Sequence, residues 1–398
     1  LVKLYTPNPG DSAEVFLSLN SKGKALSGQD IIKAQLINSM NLSKNEERLF
    51  SSEWAQMQRS VDEPNQYLRI SWIVSREEKA SPRNIATKVS KAITQGDSKA
   101  NSEKIWQEFK ENSAAYESLL RPKVDSTVLP LVSNTKNRKF TVSRLRALAD
   151  IALSYRIILL KLLKLSSSTS SAVLSPENFE DYVKQLYILA FAGRAKFPLP
   201  QKMEDHYIEL ANKLTGLDKV EEVLELLKLD VEESLAKFTT NNLGKDSQML
   251  ILHALEESGR RKNNKNSIGW KDNDDSIEHT APQKYTAEWL SALSLDASQD
   301  REYKALSDNI GNLALLNRSQ NSGIKQKPWV DPLWPRDKSM SKKIAYENAD
   351  FDITIDLSSI DSWDEKVIYA REAWILETLK LVFDPKTGSV DNYKPFQY

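Results

Sequence analysis

Residues 274–283 read DDSIEHTAPQ, and residues 308–327 read DNIGNLALLNRSQNSGIKQK. These two stretches decide the fold, because they interrupt a chain whose pattern is otherwise helical. SIEHTA and NLALLN have the character of short strands, and turn formers flank them. RSQNSGIKQKPW, directly after the second run, is a short helix candidate ended by Pro328. Strand, strand and helix in that order predict a compact ββα unit. A helical segment, YTAEWLSAL, falls within the connection between the strands.

The same stretches collect groups suited to phosphodiester hydrolysis. That chemistry needs a base to activate water, a cation to stabilise charge on the phosphate, and a group to orient the base. Imidazole suits the base role near neutrality. Carboxylate and amide oxygens suit a hard divalent cation such as Mg²⁺ or Mn²⁺. The first stretch offers Glu278 and His279. The second offers Asn309, Asn312, Asn317 and Asn321, with Arg318, Lys325 and Lys327 nearby. Neighbouring strand residues point to opposite faces, so Glu278 and His279 converge only if the strand ends there and the chain turns. Pro282 and the polar run behind it allow such a turn. Two further histidines, His206 and His253, sit in helical patterns without partner motifs and read as structural.

Outward from this region the chain is a helical scaffold. It has 398 residues, enough for two or three domains, with 40% hydrophobic and 28% charged residues. The most apolar run, YRIILLKLLKL at 155–165, is too short and too charged to span a membrane and reads as a core helix. With no cysteine, a disulfide frame and a thiolate zinc site are excluded, and a cytoplasmic setting is expected. The formal net charge is zero, so nucleic-acid binding requires local basic patches. Ser27 and Asp30 form a capping pattern ahead of an apolar face, and Pro176 stands behind Ser175 at a helix start. Polar breaks at 76–85, 119–140 and 166–175 punctuate the helices. In the stretch 258–275, GRRKNNK reads evenly as a solvated loop or as a contact to DNA phosphates, and the acidic run of Asp272, Asp274 and Asp275 reads as a solvated loop. Trp270, Trp289 and Trp329 read as core residues. SWDEKVIYAREAWILETLKLVF closes the chain as an amphipathic helix, with Val367, Ile368, Arg371, Ile375 and Leu379 on one face. The expected division is 1–120, 121–257 and 258–398. LVKLYT at the start alternates like the last strand of a sheet, so a preceding segment is expected.

IEHTAPQ followed by IGNLALLNRSQNSGIKQK resembles an HNH nuclease of the ββα-metal type. That resemblance implies Glu278 and Asn321 as metal ligands, His279 as general base and Asn312 as the residue orienting it. Glu278 stands where aspartate is common. Arg318, Lys325 and Lys327 would then meet DNA phosphates. VFLSLNSKGKALSGQDIIKAQL at 15–36, with Asn20, Gly23 and Asp30, resembles a segment of GmrSD-type modification-dependent restriction endonucleases. SWDEKVIYAREAWILETL resembles the helix that closes their HNH domain. The fold this implies is mainly α, a helical scaffold with a small C-terminal ββα-metal module. The implied function is a metal-dependent DNA endonuclease of an antiviral restriction system, using Mg²⁺ or Mn²⁺ and acting on modified phage DNA. The family's nucleotide-hydrolysing motif, DGQQR, does not occur in this chain. Nucleotide triphosphate dependence and target choice are therefore expected from an upstream ParB-like domain. No membrane partner is expected, and a homo-oligomer is compatible with the sequence. The competing reading is a non-catalytic helical docking module with a decayed HNH region.

Overall fold

The computed structural model describes residues 27–123, 129–152, 154–168, 174–214, 219–241, 243–330 and 341–398. The expectations for Leu1–Thr6, Val15, Asn20 and Gly23 lie outside these residues. In chain order the helices are α1 (Gly28–Met40), α2 (Lys44–Ser60), α3 (Pro64–Arg76), α4 (Ile85–Ile93), α5 (Ser98–Leu120), α6 (Pro130–Ser133), α7 (Arg138–Ile151), α8 (Arg156–Ser168), α9 (Pro176–Ala192), α10 (Pro200–Lys213), α11 (Val220–Lys237) and α12 (Lys245–Lys262). Then come strand β1 (Asp275–His279), α13 (Ala287–Ala292), α14 (Asp300–Ser307) and strand β2 (Leu313–Asn317). Last are α15 (Arg318–Ile324), α16 (Lys342–Glu347), α17 (Asp352–Ile355) and α18 (Glu365–Phe383). The protein is thus mainly helical, with one small two-stranded sheet among the described residues.

The described residues form two units, each discontinuous along the chain. One draws on 1–130, 153–175 and 204–223, the other on 131–152, 176–203 and 224–398. The helical middle is thereby shared between them.

In the first unit, α1 starts from the expected cap: Ser27 N donates to Asp30 Oδ2 at 3.3 Å. Asp97 caps α5, accepting from Lys99 N and Ala100 N at 3.0 Å each. The apolar run of α8 is core, with Ile157, Ile158, Leu159, Leu160 and Leu162 fully buried. Burying each such side chain contributes about 1.5–3 kcal/mol. Lys161 is tolerated in this run because its ammonium donates to Val74 O at 3.3 Å and to Glu77 Oε1 at 2.7 Å. No helix of the described residues is long and apolar enough to cross a membrane.

In the second unit, α12 is the central element. It packs on α9, where Tyr187 Oη donates to Leu250 O at 2.9 Å. The helix runs on through Gly259–Lys262, which corrects the expectation of a solvated loop there. The reason is tertiary. Arg260 pairs with Glu256 and donates to Asp350 O at 2.8 Å, Arg261 lies 3.5 Å from Glu180, and Lys262 donates to Tyr393 O. Basic side chains also suit a helix C-terminus.

Strands β1 and β2 pair antiparallel, with Ser276 opposite Leu316, Glu278 opposite Ala314 and His279 opposite Leu313. Ala314 and Leu316 pack into a buried cluster with Trp289, Trp329 and Tyr346, so those two tryptophans are core as expected. Helix α15 follows β2 directly, and its cap, Asn317 Oδ1, accepts from Gln320 N at 2.8 Å. It ends at Ile324, a few residues short of the expected stop at Pro328. Helix α18 holds the approach to β2. The buried Arg371 guanidinium donates to Gly311 O at 2.8 Å and Leu313 O at 2.5 Å. Gly311 is needed for this close passage, since a Cβ there would stand 2.0 Å from Ile368 O.

Candidate active site

His279 ends β1 and opens into a cleft of about 1280 Å³ within the second unit. Its side chain keeps 23% of its surface exposed, and Nε2 lies 3.9 Å from Asp308 Oδ1. Burial holds the imidazole below its usual range. Asp308 works in the opposite direction, whereas Lys342 and Lys245 reinforce the lowering. The ring is therefore poised to be neutral near pH 7 and able to accept a proton.

Asn312 is fully buried and spends its amide on the backbone around the end of β1. Its Nδ2 donates to Ala281 O at 2.8 Å and Ser307 O at 2.9 Å. Its Oδ1 accepts from Ala281 N at 2.8 Å and Trp363 Nε1 at 3.1 Å. Thr280 N adds a bond to Asn312 O at 2.9 Å. The asparagine thus holds the turn two residues past His279 by its backbone, and the side-chain bonds of Asn312 go to groups other than the imidazole.

Glu278 lines the same cleft as His279, but its carboxylate is already engaged. It lies on the sheet face shared with Ala314, where it is 6% exposed, and its Oε1 accepts from the buried ammonium of Lys342. Lys342 also donates to His279 O at 2.7 Å and sits over the Trp289 ring at 5.9 Å. Burial raises the Glu278 carboxyl and lowers the Lys342 ammonium in spite of their pairing.

Asn321, on α15, lies against β1. Its Nδ2 donates to Ser276 Oγ and to Ile277 O, each at 3.0 Å, and the residue lines both cavities beside β1. Lys325 lines the His279 cleft. Arg318 lines a neighbouring cavity and pairs with Asp274 at 3.3 Å. Lys327 is not on the cleft wall, and its carbonyl accepts from Trp289 Nε1 at 3.2 Å. The acidic run disperses: Asp272 pairs with Arg146 at 2.9 Å, Asp274 with Arg318, and Asp275 is buried 3.9 Å from His253. His253 is buried on α12 with its ring nitrogen 3.1 Å from Gly269 O, a structural setting.

Several groups that the sequence did not single out complete the cleft. Asp308 was visible beside Asn309 but had no motif to mark it. Glu372 on α18 accepts from Asn309 Nδ2 at 2.7 Å and from Thr240 Oγ1, so its charge is held by neutral donors. Lys342 stands far along the chain with no local signal. The implied ligand pair for a divalent ion does not fit this arrangement, because the Glu278 carboxylate already faces an ammonium. Among the described residues no three histidine, cysteine, aspartate or glutamate side chains cluster as a metal site.

Residues 228–378 match the family model described as GmrSD restriction endonucleases, C-terminal domain. No curated protein matches the chain.

Proposed function

We propose, from the premise that residues 228–378 are a GmrSD-type C-terminal domain, that this chain hydrolyses DNA phosphodiesters as part of a restriction system and that its ββα region is an HNH-type module. The observation that carries the reading is His279: a half-buried imidazole of lowered basicity at a strand end, on the wall of a large polar cleft. In the proposed step, His279 Nε2 takes a proton from water as the water oxygen bonds to phosphorus. The bond from phosphorus to the 3′ oxygen breaks, and that oxygen takes a proton from solvent. Asp308 stabilises the imidazolium that forms. Asn312 and Lys342 are positioning residues, acting through the backbone at His279 and in the turn just past it.

A divalent-cation requirement belongs to this reading as an expectation. Because Glu278 does not fit as its ligand, the step is written on the chain's own groups. A second reading, a DNA-binding module without catalysis, is favoured by one observation: an ammonium occupies the carboxylate that a metal would need. A plasmid-nicking assay with Mg²⁺, Mn²⁺ and EDTA separates the two. The nuclease reading expects cleavage by the parent chain and a loss of at least about 100-fold in His279→Ala, the scale of general-base catalysis. DNA binding should persist in that variant. Binding without cleavage under any divalent ion supports the second reading.

A further inference from the structure

The cations of the second unit fall into two groups. Some are paired with carboxylates, among them Arg146 with Asp272, Lys196 with Asp230, Lys265 with Asp352, Lys271 with Asp150 and Lys342 with Glu278. Lys245, Lys284, Arg301, Lys304 and Lys325 are exposed and make no ion pair with any carboxylate of the described residues. All of them line the cleft that holds His279. They come from four separate places: the start of α12, the turn after β1, α14, and the end of α15. Arg301 and Lys304 are one turn apart on α14 and share a face. Lys245 is the first residue of α12, where a cation opposes the helix dipole and costs stability. Its charge reaches the site, since it lowers the basicity of His279. Unpaired cations occur elsewhere in this unit too, but these five converge on one cleft in a chain of zero net charge. Of the acidic groups lining it, Glu278 is paired with Lys342, while Glu372, bonded to Asn309 and Thr240, and Asp308, beside His279, keep their charges.

We infer that these cations form the track for the DNA phosphate backbone, and that Arg318 and Lys327 are not part of it. The inference rests on the nuclease reading for the identity of the polyanion, and it assigns the residues that hold it. Cations released from ion pairing interact with phosphates at no cost in broken pairs, and each phosphate they neutralise releases counterions from the duplex. Arg318, by contrast, is paired to Asp274 beside another cavity. The track offers charge without base-edge geometry, so binding through it is indifferent to sequence.

The test is fluorescence anisotropy of a labelled DNA duplex with the full His279→Ala chain, titrated across salt concentrations. The triple variant Lys245→Gln, Arg301→Gln, Lys304→Gln should weaken binding by at least about 10-fold at low salt. It should also flatten the log–log salt slope by about 3, near 0.9 for each phosphate left without its cation. Arg318→Gln with Lys327→Gln should leave both quantities unchanged. Lys245, Arg301, Lys304 and Arg318 are exposed and Lys327 is partly exposed, and an unchanged thermal melt confirms that each variant folds. If the triple variant binds like its parent, or if the Arg318 and Lys327 pair carries the loss, the track is wrongly assigned while the nuclease reading stands. If the parent itself fails to bind DNA at any salt concentration, both are overturned.

Discussion

At His279, two opposing influences set how the base titrates. Burial and the charges of Lys342 and Lys245 lower its pKa, and Asp308 raises it. The neutral imidazole is the reactive form, so kcat/KM should rise with pH through the His279 pKa and then level off. Because that pKa lies below the usual imidazole value of about 6.5, the plateau should be reached by neutral pH. Asp308→Asn removes the one neighbour that raises the pKa, so its acid limb should move to still lower pH, with a lower plateau from lost stabilisation of the imidazolium. A pH–rate profile of the two chains checks this. An acid limb that stays put or moves to higher pH would show that Asp308 does not act on His279.

Between elements, the Glu278–Lys342 pair ties β1 to α16, and through His279 O it also fixes the end of the strand. A buried pair of this kind adds little net stability, but loss of one member is costly because a charge is stranded without its partner. Glu278→Ala should therefore destabilise the second unit by about 3–5 kcal/mol, while Glu278→Leu combined with Lys342→Met should recover most of the loss. Calorimetric melting of the single and double variants measures both. If Glu278 instead ligates an ion, the single variant should melt normally and need more divalent metal for activity. Arg371 and Asn312 act at the same scale, joining α18, the turn before β2 and the end of β1 through backbone carbonyls and amides. Such bonds explain why polar residues sit at the centre of this core: each satisfies backbone groups that would otherwise be buried unpaired.

For the molecule as a whole, the family-matched segment 228–378 is smaller than the unit that contains it. That unit also takes residues from 131–152 and 176–203. Beyond position 378 it buries Val382, Phe383, Tyr393 and Phe396. Cutting to 228–378 would expose the α12 face that Tyr187 and its neighbours on α9 cover, together with the seat of Phe396 in the cluster around Trp289. The prediction is that 228–378 expressed alone fails to melt cooperatively, whereas the full chain does. A sharp calorimetric transition from the short segment would show that the helical middle is dispensable to the domain's core.

What was legible in the sequence was local. The period of α8 and α18, the two short strands and the cap at Ser27 follow from neighbours along the chain, whereas the choice of Asn312 and Asn321 rests on the HNH resemblance. Strand alternation warned that Glu278 and His279 face apart; in the structure both line one cleft, and Lys342 engages the Glu278 carboxylate. That partner lies 64 residues away, beyond the reach of any motif. The same holds for the helical course of Gly259–Lys262, which depends on Glu256, Glu180 and Tyr393. It holds again for the cleft's cations, which make no ion pair with any carboxylate of the described residues. Periodicity and turn chemistry act over a few residues and are written in order. Ion pairing, burial and the shape of a cleft arise only when distant segments meet, so tertiary structure alone decided which charges are spent and which face His279.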